Sequence, residues 1–331
     1  MGCGGMAAAW LKPAAENPDI CIAGLADINL EAAGKRREEF APQAIVGADV
    51  AELIAELKPD ILFNCTIPAA HHAISMAALS AGAHVLSEKP LANTMAEARE
   101  LVSAAKAANR LFAVIQNRRY NAGARTARAV LASGAIGQVT EVMCDFFVGA
   151  HFGGFRDEMA HALLHDMAIH HFDLARFFIG GTPKDVFCHE WNPRGSWYRH
   201  GANAQAIFTC EDGVVFNYRG SWCAEGVPTS WNGGWRFIGT QGTLLWDGET
   251  GLRLEKVKAT GSFLSEIDSS PIPMAPAPGK DQGHASIIEE FVRCIKDGAV
   301  PETGGADNIR SLAMVFAAVK SGEIAERIAF A

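Results

Sequence analysis

The eight cysteines include no CxxC pair: they stand at Cys3, Cys21, Cys65, Cys144, Cys188, Cys210, Cys223 and Cys294. Thiols scattered in this way, most of them inside apolar stretches, exclude a clustered zinc or disulfide framework and point to a reducing, cytoplasmic compartment. No stretch approaches the roughly 18 uninterrupted apolar residues of a membrane-spanning helix. The apolar residues 6–11 are few, lack a basic flank and run straight into Lys12-Pro13, so they do not read as a signal peptide. Basic charge is in deficit. The formal net charge of -8 argues against nucleic acid or an anionic membrane as partner. There is no HExxH pattern and no internal repeat.

What is present is a globular composition, 49% hydrophobic and 20% charged, over 331 residues. That length suffices for two domains. Residues 19–26, 60–64, 84–86 and 110–115 read as buried strands. Amphipathic helices are expected between them over 30–40, 51–57, 70–81 and 95–108. Strands alternating with helices of about a dozen residues imply right-handed βαβ units and a doubly wound parallel sheet. The rhythm changes after residue 120. A helix over 122–134, a long strand over 138–149 and a helix over 163–179 precede short strands between 184 and 254. That pattern implies an α+β domain on a large, mostly antiparallel open sheet. Residues 269–283 read as a surface loop, and 286–296 and 308–320 as closing helices. The expected division is a dinucleotide-binding Rossmann domain over 1–119 and a second domain over 120–331, the closing helices packing back on the first.

Gly2-Cys3-Gly4-Gly5-Met6-Ala7 fits G-x-G-x-x-A, a loop whose glycines allow close approach to a pyrophosphate on a helix N-terminus. The strand that should precede it is missing, which suggests a start truncated upstream. Asp27 lies about 20 residues beyond Ala7, at the end of a predicted strand, where a carboxylate accepts from ribose hydroxyls and disfavours a 2′-phosphate. The alternative is a loop aspartate capping the next helix. NAD is the expected cofactor, with NADP possible; Lys35, Arg36 and Arg37 either soften that preference or, as expected here, form a solvated helix face. Lys89, in Ser87-Glu88-Lys89-Pro90, sits at the end of a parallel strand, where ligands bind. Asp166 and His170 are spaced i,i+4, so they share a helix face; a carboxylate-held histidine suits proton removal. Four histidines and two aspartates fall within 161–173, but no metal site is expected. His171 reads as a structural histidine.

The glycine loop, Thr66-Ile67-Pro68 with His71, Glu88-Lys89-Pro90, Asn117-Arg118-Arg119-Tyr120 and Asp166-x-x-x-His170 stand in one order. Together they resemble the glucose–fructose oxidoreductase/inositol dehydrogenase (Gfo/Idh/MocA) family over essentially the whole chain. The resemblance implies that Gly2, Gly4, Gly5, Met6 and Asp27 bind the dinucleotide and that Thr66, Pro68 and His71 line its crevice. It further implies that Glu88 touches the nicotinamide-side ribose, Lys89 the reacting hydroxyl and cofactor, and that Asn117 and Arg118 border the nicotinamide. Lys89, Asp166 and His170 would be catalytic, and His161, His165 and Tyr120 are candidate substrate contacts. Many relatives carry a glycine run where this chain has Met159-Ala160-His161, which should reshape the substrate pocket. Residues 153–161 and 191–198, with Trp222, Trp231 and Trp235, are expected to shape that pocket, although the tryptophans equally suit core or interface. The implied function is hydride transfer between nicotinamide and a hydroxyl carbon of a sugar or polyol, in a homodimer or homotetramer joined through the second domain's sheet. Two readings stay open beside it: transient oxidation by bound NAD for elimination or glycoside cleavage, and a non-catalytic dinucleotide sensor.

Overall fold

The computed structural model describes residues 1–261 and 263–330. They form two compact units, one of Met1–Tyr120 with Gln282–Leu312, the other of Asn121–Asp281 with the chain from Ala313 onward. In the first unit helix and strand alternate: α1 (Ala7–Glu16), β1 (Gly24–Ala26), α2 (Leu30–Phe40), β2 (Ile45–Gly47), α3 (Val50–Leu57), β3 (Ile61–Asn64), α4 (Pro68–Ser80), β4 (His84–Ser87), α5 (Met95–Ala108) and β5 (Phe112–Val114). Local chemistry starts these helices. Asn29 accepts from the Glu31 and Ala32 amides and Asp49 from those of Ala51 and Glu52. Thr94 accepts from the Glu97 amide, and α4 opens on Pro68, whose missing N–H is not needed there.

The strands of this unit pair in parallel, β1 with β2, and β3 with β4 and then β5, and Ala113 adds a single antiparallel bridge to Gly304. Between the two small sheets runs the backbone of Met1 and Gly2. The Gly2 amide donates to the Ala26 carbonyl at 2.9 Å and the Cys65 amide to the Met1 carbonyl at 2.8 Å. The strand expected over 19–26 is therefore shorter than predicted. Only Gly24–Ala26 stands in register with β2, whose three residues set the length of the ladder.

The second unit contains α6 (Ala122–Ala132), β6 (Val139–Phe147), α7 (Ile169–Ile179) and strands β7 (Pro183–Trp191), β8 (Asn203–Cys210), β9 (Val215–Ser221), β10 (Gly234–Gly239), β11 (Gly242–Trp246), β12 (Leu252–Ala259) and β13 (Glu266–Ile272). The chain then forms α8 (His284–Asp297) in the first unit, α9 (Gly305–Ile324), which the division crosses after Leu312, and β14 (Ile328–Ala329). Nine strands make one sheet in the order β13-β12-β11-β10-β6-β9-β8-β7-β14, antiparallel except for β6 with β9. Alternation along the strands sends Val142, Cys144, Phe146, Phe208, Phe216, Tyr218, Trp235, Phe237 and Trp246 into the core. Phe172 and Phe178 of α7 pack on them edge-to-face, Phe172 on Phe208 at 4.9 Å and Phe178 on Phe237 at 5.0 Å. The alternate residues, including Phe187 and Ile207, leave the other face open.

Two further expectations need correction. Residues 269–283 are not all loop: Ser269, Ser270, Pro271 and Ile272 belong to β13, paired with β12. Proline misled here because β13 is an edge strand, where a missing N–H costs no ladder bond. Residues 163–179 are not one α-helix either. Leu163–Ala168 is a π-helix running directly into α7, which ends as expected at Gly180 in the left-handed region. Among the described residues no helix is long and apolar enough to cross a membrane.

Candidate active site

The glycine loop precedes α1, and its face is open. A Cβ on Gly4 or Gly5 would meet no heavy atom within 4 Å, so protein packing does not require glycine there. Gly2 differs: with φ at +78° its added Cβ would stand 2.5 Å from the Cys65 carbonyl oxygen. Gly2 is the packing glycine; Gly4, Gly5 and the half-exposed Met6 border space a ligand can enter. Asp27 faces this loop, accepting from the Cys3 amide at 2.7 Å and the Asn29 amide at 2.8 Å. Asn29, not Asp27, caps α2, which removes the capping alternative. Each Asp27 oxygen keeps a lone pair for a ribose hydroxyl. An open loop at a helix N-terminus beside a carboxylate fits a dinucleotide. Arg36 is a correction. It does not lie on a solvated face but reaches back to the loop, Nη2 donating to the Gly4 carbonyl at 3.2 Å.

Glu88 and Lys89 follow β4 at its C-terminal end, where open parallel sheets bind ligands. Glu88 is buried; its Oε1 accepts from the Trp10 indole at 2.9 Å and its Oε2 from the Lys89 amide at 3.1 Å. Trp10, on α1, thus ties this turn to the helix that the glycine loop begins. Thr66 donates its hydroxyl to Asn64 at 2.6 Å, and Pro68 opens α4. His71 does not line the cofactor crevice as expected. It is fully buried, with Nδ1 2.7 Å from the Pro90 carbonyl oxygen and Nε2 3.0 Å from that of Thr66. Burial holds its pKa below the ordinary histidine value, against the pull of those two carbonyls. It braces two site loops from behind.

Asn117, Arg118, Arg119 and Tyr120 form one 3-10 turn after β5. Arg119 is buried and donates to Asp307 at 2.9 Å. Tyr120 is corrected as a substrate contact. Its ring lies in the core beside Ile287 and Phe291, and its hydroxyl donates to Glu290. His284, which the sequence did not single out, packs edge-on against Trp10 at 6.2 Å. Burial lowers its pKa, while nearby Glu88 raises it and Arg118 lowers it further. No spacing signal links His284 to Glu88 almost two hundred residues earlier; only the return of α8 to this unit does.

The other candidates belong to the second unit. Asp166, in the π-helix, accepts from Arg156 Nε at 3.0 Å, and His170 is buried at the start of α7. Arg156 lies 5.0 Å from the Phe152 ring centroid and 4.9 Å from that of Phe155. His161, with φ at +54°, is partly exposed and faces two carboxylates: Nδ1 pairs with Glu190 and Nε2 lies 3.6 Å from Glu323. The Glu190 bond, more than any other cause, raises its pKa. His165 packs on His161 and Phe316, and burial, with the His161 charge, pushes its pKa down to about 4. His171 is enclosed by Phe146, Tyr218 and Trp235. Trp222 and Trp235 are core, whereas Trp231 is exposed. Among the described residues no three His, Cys, Asp or Glu side chains converge as metal ligands.

Comparison with known proteins is consistent along the chain. Residues 1–116 match the GFO_IDH_MocA model, an oxidoreductase family with an NAD-binding Rossmann fold, and residues 124–245 match the GFO/IDH/MocA C-terminal domain. The chain is 26% identical to 1,5-anhydro-D-fructose reductase of Ensifer adhaerens, covering 90% of this chain and 89% of the relative. It is 25% identical to D-apiose dehydrogenase of Paraburkholderia graminis, covering 81% and 72%. An Agrobacterium radiobacter oxidoreductase, solved with NAD+, L-tartaric acid and magnesium, superposes with a TM-score of 0.85. That pair is 23% identical and covers 99% of this chain and 96% of the other, a likeness of fold.

Proposed function

The chain belongs to the GFO/IDH/MocA oxidoreductases, NAD-binding dehydrogenases and reductases, and from that premise we propose that it oxidises a hydroxyl carbon of a sugar, polyol or related compound. Bound NAD supplies the hydride acceptor. His170 takes the hydroxyl proton as the carbonyl forms, and Asp166 orients the ring and stabilises its imidazolium. Lys89, in the first unit, would serve as a hydrogen-bond donor that favours negative charge developing on the reacting oxygen. Glu88, Asn117 and Arg118 would border the nicotinamide, and Asp27 would accept from the adenosine ribose. The reading rests above all on the Trp10–Glu88 bond, which fixes the turn bearing Lys89 next to the helix that follows the glycine loop.

The relatives' names favour a sugar substrate. Eight unpaired thiols favour a cytoplasmic setting, and the open face of the nine-stranded sheet favours a homodimer or homotetramer. The test offers purified protein NAD or NADP with inositols, aldoses, deoxy sugars and glycosides, and follows NADH absorbance. NADH growth that disappears in Lys89→Ala and His170→Ala supports the assignment. Full turnover in Lys89→Ala sinks it. Substrate loss without net NADH identifies transient oxidation, and NAD binding without turnover on any compound identifies a sensor.

A further inference from the structure

Arg36 is a charged side chain whose fork is spent on backbone. Its side chain is 17% exposed, and Nη1 pairs with Glu39 at 2.5 Å. Nε donates to the Cys3 carbonyl at 3.4 Å and Nη2 to the Gly4 carbonyl at 3.2 Å. Both acceptors are peptide oxygens of the glycine loop.

A trans peptide is planar, and its C=O points opposite to the N–H of the next residue. Holding the Cys3 and Gly4 oxygens on α2 therefore turns the Gly4 and Gly5 N–H groups away from α2. The Cys3 N–H is already committed to Asp27. No Cβ contact constrains the loop at Gly4 or Gly5; the Gly4 carbonyl has a second tie, the Ala7 amide at 3.2 Å, so Arg36 acts chiefly on the Cys3–Gly4 plane and shares the Gly4–Gly5 plane with the start of α1. Glycine pairs without such constraint sample many orientations, and ordering them on binding costs affinity.

We infer that Arg36 is a positioning residue for the cofactor: it sets the Gly4 and Gly5 peptide planes so that their N–H groups face the dinucleotide's pyrophosphate. Glu39 offsets the guanidinium charge, so the effect is geometric rather than a matter of added positive potential. Three consequences follow from that distinction. Lysine, with charge but no planar fork, does not replace arginine. Removing the Glu39 charge changes little. The NAD-to-NADP affinity ratio stays fixed, because the pyrophosphate is common to both.

The experiment titrates NAD and NADP into full-length protein freed of nucleotide, by calorimetry, for the native chain, Arg36→Ala, Arg36→Lys and Glu39→Gln. The expected result is an affinity loss of about tenfold for both dinucleotides in the two Arg36 variants. Their ratio stays unchanged, and Glu39→Gln remains within about twofold. Native affinity in Arg36→Ala overturns the inference. A shifted NAD-to-NADP ratio overturns it too, since the guanidinium would then act at the ribose 2′ position. Full rescue by Arg36→Lys shows that charge, not the fork, matters. Unfolding midpoints without nucleotide identify any variant that is merely misfolded; should Arg36→Ala be one, Arg36→Lys still decides between fork and charge.

Discussion

Arg156 Nε meets Asp166 Oδ2 at 3.0 Å, so the carboxylate proposed to orient His170 is itself held by a guanidinium lying beside Phe152 and Phe155. Arg156→Gln should lower kcat/KM by about tenfold, as expected for losing one charge-assisted bond to a working carboxylate. Asp166→Asn should lower it by at least about a hundredfold, since it removes the orienting charge. Steady-state kinetics across pH read both. Unchanged kcat/KM in Arg156→Gln would make the pair a surface ion pair with no part in turnover.

Gly2 and Gly4 should respond in opposite ways to alanine. Gly2→Ala drives a Cβ to 2.5 Å from a carbonyl oxygen at positive φ and should destabilise by about 2 kcal/mol or more. Gly4→Ala meets no protein atom, so unfolding without nucleotide should be unaffected while NAD affinity falls by about tenfold or more. Denaturation and calorimetry on the two variants separate packing from binding.

His165 should weaken the fold in acid. Its folded pKa is depressed to about 4, below the ordinary histidine value of 6.5. Below pH 6.5 the unfolded chain binds a proton that the folded chain refuses, so stability falls as pH drops toward 4, by up to about 3 kcal/mol. His161 runs the other way: its pKa is raised, so its contribution is complete below 6.5 and is lost as pH rises through the folded value. His165→Phe should flatten the acid limb of a stability–pH curve, and His161→Gln should flatten the limb above 6.5. An acid limb that persists in His165→Phe would assign it to other groups.

Tyr120→Phe removes the hydroxyl from a buried bond to Glu290. A loss of stability of about 1–3 kcal/mol is expected from leaving that carboxylate short of a donor. KM for substrate should stay near the native value. A large rise in KM with native stability would return Tyr120 to the substrate site.

The alternation of strands and helices was legible because its signals are local: Asn29, Asp49 and Thr94 cap where their side chains allow, and Gly180 stops α7 as glycine should. The glycine loop before α1, and Asp27 and Glu88-Lys89-Pro90 just after β1 and β4, stand out in the sequence for the same reason, as compact local motifs. What sequence concealed depends on partners far along the chain. His71 carries the same residue type whether it faces a cofactor or braces Thr66 and Pro90, and only its burial decides. Tyr120 and His284 take their roles from the return of α8, and His161 from Glu190 and Glu323, none of which a spacing rule connects. Pro271 read as loop because edge-strand status is a property of the sheet, not of the residue.

The π-helix over Leu163–Ala168 also bears on how such a chain can change over generations. A π-turn accommodates one residue more than the α-turn it replaces. Deleting that extra residue would restore continuous α-helix and leave the segments on either side of the turn in nearly the same relation. His165 and Asp166, inside the turn, would be re-aimed while His170 and the core face of α7 stayed in place. A one-residue change of length can therefore be absorbed within this single turn, its effect confined to the side chains the turn itself carries.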